Sequence, residues 1–171
     1  MKQTSNTNTH PRTFTSTSAK AKRIKLGVDV HADTYRVVRQ IDEATPQPAQ
    51  KFSPSQFLIW VAKQCPLAEE VHSCYEAGPF GYGLHRQLMK LGVHNVVVRP
   101  QNWDELGRRV KTDRTDALAL VQRLDRYIQG NGRALALIRV PPVEQERDRA
   151  WSRHREQLQK DRQAHGTAVY Q

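Results

Sequence analysis

The sequence predicts an α/β domain built on a mixed sheet, with its first strands antiparallel and its later strands parallel. Two neighbouring stretches near the start, 24–31 and 34–41, have apolar patterns of strand type, as in a hairpin. Helical and extended patterns then take turns from Ser53 to Ile128, which is the order of a sheet joined by crossover helices. The chain breaks (Gly92, Pro100 and the GNG of 130–132) fall between these patterns.

In IKLGVDVH, Ile24, Leu26, Val28 and Val30 alternate with Lys25, Gly27, Asp29 and His31, which gives a strand two different faces. A turn at Ala32 to Thr34 leads into TYRVVRQI, the hairpin partner. After the loop ATPQPAQ, a short third strand is expected around Lys51 and Phe52. Ser53 then stands as a helix cap, Pro54 at the first helical position and Gln56 where a capping box needs it. Phe57, Leu58, Val61 and Cys65 supply that helix with an apolar face. EVHSCYE is the next strand and ends at Glu76; AGPFGYG turns into LHRQLMKLG, a helix stopped by Gly92. HNVVVRP is a valine-rich strand. Asn102 and Glu105 form a second capping pair and open a helical region reaching about Ile128. Beyond the VPP of 140–142, Glu144 to His165 is a charged helix with Trp151 and Leu158 a heptad apart, too poor in apolar residues to fold without a partner helix.

The organisation expected is therefore a disordered basic tail over 1–23, an α/β domain over 24–130, and a linker with a helical arm over 131–171. The chain has 171 residues, a net charge of +10 and 37% hydrophobic residues, enough for one domain with an acidic partner, most commonly nucleic acid. Two cysteines, Cys65 and Cys74, make neither a zinc site nor a disulfide framework and fit a reducing, cytoplasmic setting. No apolar run approaches the roughly 20 residues of a membrane span, and the N-terminus has no signal-peptide core.

Four acids are placed unusually. In KTDRTDALAL, Ala117, Leu120, Val121, Leu124 and Ile128 mark the buried face of a helix, and the same stripe runs back through Asp116 and Asp113. Asp29 sits near the C-terminal end of the first strand and Glu76 at the end of another, where ligands gather in open α/β sheets. Each acid alone has a structural explanation: Asp113 and Asp116 as a capping pair, Asp29 in a turn, Glu76 paired to an arginine. Together they call for compensation of several carboxylates near a core, which costs several kcal/mol each if unpaired. Mg²⁺ or Mn²⁺ compensates all four at once, because hard oxygen ligands on an open site suit these ions. Arg108, Arg109, Lys111 and Arg114 flank the acids, either as phosphate contacts or as a solvated charge-balancing face. His31, His72, His85 and His94 are scattered over different elements, which favours surface or hairpin roles over ligation.

GVDVHADTY, CYEAGPFGYGLHRQL, and VVRPQ followed by VKTDRTDALALVQRL closely resemble the N-terminal domain of DEDD transposases, bacterial enzymes of the insertion sequence 110 type. The resemblance covers about residues 24–160. It implies a fold like that of the junction resolvase RuvC, hence ribonuclease-H-like. It also implies that Asp29, Glu76, Asp113 and Asp116 are catalytic acids that bind divalent metal. In that family a coiled coil follows, then a domain bearing an attacking serine, and a structured noncoding RNA bridges donor and target DNA. The sequence stops at Gln171, just inside the presumed coiled coil, so a truncated or fragmentary transposase is expected. The function expected is metal-dependent DNA cleavage and joining in transposition. The alternatives are a non-catalytic nucleic-acid-binding or inhibitory fragment and a stand-alone junction-resolving nuclease. The expected partners are DNA, the element's RNA, and a second copy or full-length transposase joined through the arm.

Overall fold

A computed structural model describes the backbone of residues 20–100 and 113–167, and the side chains of these except 113–115 and 164–167. The chain runs β1 (Ala21–Val30), β2 (Tyr35–Ile41), β3 (Gln50–Phe52), α1 (Pro54–Gln64), a 3₁₀ turn (Cys65–Leu67), β4 (Ala68–Glu76), α2 (Gly83–Lys90), β5 (His94–Val98), α3 (Asp113–Ile128) and α4 (Val143–Thr167). The five strands form one sheet in the order β3-β2-β1-β4-β5. β2 pairs antiparallel with β1 and β3, while β4 pairs parallel with β1 and β5. The expected mixed α/β architecture is what the chain adopts, and it is consistent with a ribonuclease-H-like fold.

β1 is buried on both faces. Ile24, Leu26 and Val28 join Phe57 and Val61 of α1 and Leu88 of α2 in the larger core. The opposite face carries Lys25 and Gly27 and is covered by α3. This arrangement explains why β1 reads as alternating in chemistry although its neighbours bury its whole centre, residues 24–28. Its parallel pairing starts at Ala21 opposite Ala68, three residues before the apolar alternation begins, because backbone hydrogen bonding does not require an apolar side chain.

Local signals in the sequence are realised closely. Ser53 caps α1: Gln56 N donates to Ser53 Oγ at 3.4 Å, Ser53 N donates to Gln56 Oε1 at 3.2 Å, and Pro54 occupies the first turn. Gly92 ends α2 in the left-handed region, with φ of 81°. The stretch expected to be linker contributes to the core. Leu135 is buried against Cys74, Val98, Leu120 and Leu124. Arg99 N donates to Ala136 O and Ile138 N to Val97 O, both at 2.8 Å, so this segment runs along β5 as a partial sixth strand. The predicted capping pair Asn102 and Glu105 lies outside the described residues, as does the 1–19 tail.

α4 is a 25-residue helix, as its charge pattern predicted. Trp151 and Leu158 are 66% and 55% exposed, so the described residues give the seam no partner and form no coiled coil. Among the described residues, no helix is long and apolar enough to cross a membrane.

Candidate nucleic-acid and metal site

The site follows from the α3 face of β1. Strand alternation places Lys25, Gly27 and Asp29 on that face. Lys25 Nζ, on a residue only 2% exposed, pairs with Asp125 near the end of α3. At Gly27 the helix backbone itself arrives: a Cβ there would lie 2.3 Å from Ala117 O and 2.5 Å from Val121 N. Asp29 shares a cavity with Asp116, near the start of α3. These three contacts, read in order, show that α3 runs opposite to β1. Its buried stripe meets Gly27 in the middle of the strand, and Asp116 meets the strand's C-terminal end.

β4 supplies the third acid. Parallel pairing sets Gly27 beside Cys74 and Val28 beside Tyr75, and one further step brings Asp29 level with Glu76. Both carboxylates then share the α3 face. Asp29, Glu76 and Asp116 line one cavity of about 190 Å³, together with Ala77, Gly78 and Leu120. The C-terminal ends of parallel strands are where the sequence pattern expected a ligand.

Basic groups surround the acids. His31 Nε2 lies 2.9 Å from Asp29 Oδ2. Arg36 stands directly opposite Asp29 in the β1–β2 register. Arg123 lies two turns beyond Asp116 on the same helix. Burial presses its guanidinium below the ordinary value, while the nearby Glu76 carboxylate works against that shift. Burial drives the Cys74 thiol far upward, and Glu76 adds to the effect, so Cys74 is a neutral core residue and no nucleophile.

Of the predicted site residues, Asp29, Glu76 and Asp116 are brought together. Asp113 is the first residue of α3, one turn before Asp116, but its side chain lies outside the described residues, as does that of Arg114. Arg108, Arg109 and Lys111 lie outside them altogether. Sequence reasoning missed Arg36 and Arg123 as neighbours of the acids. Arg36 lies across the hairpin from Asp29 and Arg123 seven residues after Asp116, but that they stand beside the acids depends on strand register and on how α3 crosses the sheet. The donor set is all oxygen and fits a hard divalent cation in kind. Among the described residues, no group of three or more His, Cys, Asp or Glu side chains is gathered closely enough to hold an ion.

No protein-family profile matches the sequence. The chain is similar to transposases of insertion-sequence elements. It is 31% identical over 109 residues to the transposase for insertion sequence element IS1533 of Leptospira borgpetersenii, a match covering 59% of this chain and 30% of that protein. Two Sinorhizobium fredii proteins provisionally named as transposases also match. Identity is 39% over 92 residues with y4rJ, covering 53% of this chain and 23% of the relative. With y4qE it is 49% over 57 residues, covering 33% and 15%. The chain thus spans under a third of the length of each of these relatives.

Proposed function

We propose that the chain acts in transposition as the N-terminal domain of a DEDD transposase of the insertion sequence 110 type, with a RuvC-like site that engages DNA. One observation carries this reading: Asp29 and Glu76, at adjacent ends of parallel strands, line a single cavity with Asp116 from the helix packed across them. Similarity to insertion-sequence transposases supports it. Asp113, one turn from Asp116, completes the acid set. These four would hold Mg²⁺ or Mn²⁺. Such ions supply charge compensation and Lewis-acid polarisation of a phosphodiester. The protein's part is placement. β1 and β4 fix two carboxylates by register, α3 brings the others, His31 orients Asp29, and Arg36 and Arg123 balance the negative charge. The structured RNA of the element and a second transposase subunit, met through α4, are the partners this reading adds to DNA.

A second reading, nucleic-acid binding without cleavage, is favoured by the absence of a gathered three-ligand group among the described residues. One experiment tests the metal site against the capping alternative for the aspartates. Thermal melts of wild type, Asp113→Asn and Asp116→Asn are run with and without Mn²⁺. A ligand that binds only the native state stabilises it by about 2.7 kcal/mol at a hundredfold excess over its Kd. The metal reading expects a Mn²⁺-dependent rise in wild type that both variants lose, with their metal-free melts unchanged or slightly higher. A wild-type melt indifferent to Mn²⁺, with both variants lowered by about 0.5–2 kcal/mol in either buffer, makes the aspartates a helix cap. Cleavage of branched DNA by the purified chain then distinguishes an enzyme from a binder.

A further inference from the structure

A second recess, of about 510 Å³, lies between the 78–82 loop and the first turns of α4. Its existence depends on a clamp. Tyr82 N donates to Glu146 Oε1 at 3.0 Å, Arg86 Nη2 lies 2.6 Å from Glu146 Oε2, and the same guanidinium nitrogen donates to Pro141 O at 3.1 Å. Gly81 has φ of 71°, a left-handed conformation that favours glycine, and it brings the loop so near the helix that a Cβ there would lie 2.5 Å from the carboxylate tip of Glu146. Loop and helix are therefore held side by side, with the Glu146 charge already answered by Arg86.

We infer that this recess is a binding groove for a single phosphodiester strand that continues from the carboxylate cavity, with Arg149 and Arg153 as its phosphate contacts. This inference rests on the nucleic-acid reading above. Three observations carry it. Gly78 lines both the recess and the carboxylate cavity, so the two adjoin at a residue with no side chain. Arg149 and Arg153 both line the recess; four residues apart, they lie on one side of the helix and are separated along it by about 6 Å. Arg153 Nε donates to Arg149 O at 3.3 Å, which lays the Arg153 stem back along the helix toward its neighbour. Asp148 also lines the recess and opposes the pair, but two arginines outnumber it. A recess walled by a loop on one side and a helix on the other can flank the backbone of a single strand, whereas a duplex carries its phosphates on a convex surface. Backbone contacts of this kind position a strand and read no sequence.

The test measures fluorescence anisotropy of the full chain in metal-free buffer. The probes are a short oligodeoxythymidine, its oligouridine counterpart and a duplex of the same length. The variants are R149Q/R153Q and, as a charge-matched control on the same helix away from the recess, R155Q/R162Q. Circular dichroism confirms that α4 is retained. The groove expects R149Q/R153Q to lose about tenfold in single-strand affinity. Its log affinity against log salt should be shallower by about 1.4, at about 0.7 per phosphate contact. Equal loss on both single strands marks backbone recognition; loss on one alone assigns the strand to DNA or to RNA. Loss no greater than in the control pair, or equal loss on the duplex, overturns the groove and leaves the nucleic-acid reading standing. A wild-type chain that binds none of the probes overturns both.

Discussion

Gly27 sets how closely α3 lies on the sheet. Its missing side chain is replaced by helix backbone, Ala117 O and Val121 N, which cannot rotate aside as a side chain can. Gly27→Ala is therefore expected to lower stability by about 1–3 kcal/mol through overpacking, measured by urea denaturation. It should also weaken any Mn²⁺-dependent thermal shift, because lifting α3 carries Asp116 away from Asp29. A second residue-scale consequence concerns protons. Ser73 Oγ donates to Asn95 Oδ1 at 2.7 Å, which leaves Asn95 Nδ2 to donate to His85 Nδ1 at 2.8 Å. That nitrogen must be unprotonated. Burial first, then the Arg86 charge, holds the His85 pKa below its usual value. For His72, burial and the His94 charge prevail over the Glu70 hydrogen bond in the same direction. A base with a depressed folded pKa binds its proton more readily when unfolded. Its contribution is full above the unfolded value of about 6.5 and is lost as pH falls from there through the folded value. The melting temperature should drop between about pH 7.5 and 5.5, and His85→Gln, which keeps an acceptor for Asn95, should reduce that drop. The Asp29 and Asp116 placements were legible because helix and strand periods are visible in one sequence. The nearness of Arg123 to Glu76 was not, because it depends on how a helix crosses a strand.

The elements with local signals were the legible ones. Ser53, Pro54 and Gln56 specify the start of α1 through bonds made within four residues, so the sequence carries the whole reason. The 134–138 segment carries no such signal. Leu135 and Leu137 flank single small or apolar residues after a glycine break, and only the open edge of β5 makes the stretch extended. α4 is the reverse case. Its helical character is plain in the sequence, but none of the described residues covers Trp151 and Leu158. Exposed apolar residues at heptad spacing form a seam when two such helices meet. Trp151→Glu with Leu158→Glu is expected to lower the mass measured by light scattering toward that of a monomer, with the melting of the sheet domain unchanged. Truncation before α4 is a poorer test, because it also removes Glu146 from Arg86 and the Tyr82 amide. Unchanged mass in the double variant would show that the arm is not a self-association surface.

At the scale of the molecule, the excess of 27 lysines and arginines over 17 acids sets the long-range field. Nucleic-acid affinity should fall steeply with salt, because each neutralised phosphate releases counterions. Titrations at about 50 and 200 mM salt check this, and a protein making 6–10 phosphate contacts loses about 10³–10⁵ in affinity over that range. Affinity that stayed flat would remove the electrostatic basis of binding. The field is attractive overall, while the cavity at the strand ends is locally acidic, with Asp29, Glu76 and Asp116 along its wall. A polyanion is therefore drawn to the molecule but meets repulsion at that cavity unless a cation or the neighbouring arginines screen it. This tension was legible in the sequence as a basic chain with four oddly placed acids. Which basic residues stand nearest was not, because long-range pairing decides it.

The clamp at Glu146 gives the arm a mechanical role. At 1.5 Å per residue, the 25 residues of α4 make a rod about 37 Å long. The rod is gripped near one end, through Tyr82 and Arg86, by the loop that follows Glu76. A rod held near one end is a lever, and the loop is its fulcrum. Any partner that seizes the far end gains leverage over a grip only a few residues along the chain from a site carboxylate. A swing of the arm would load Tyr82 and Arg86 first, because these are the residues that hold Glu146.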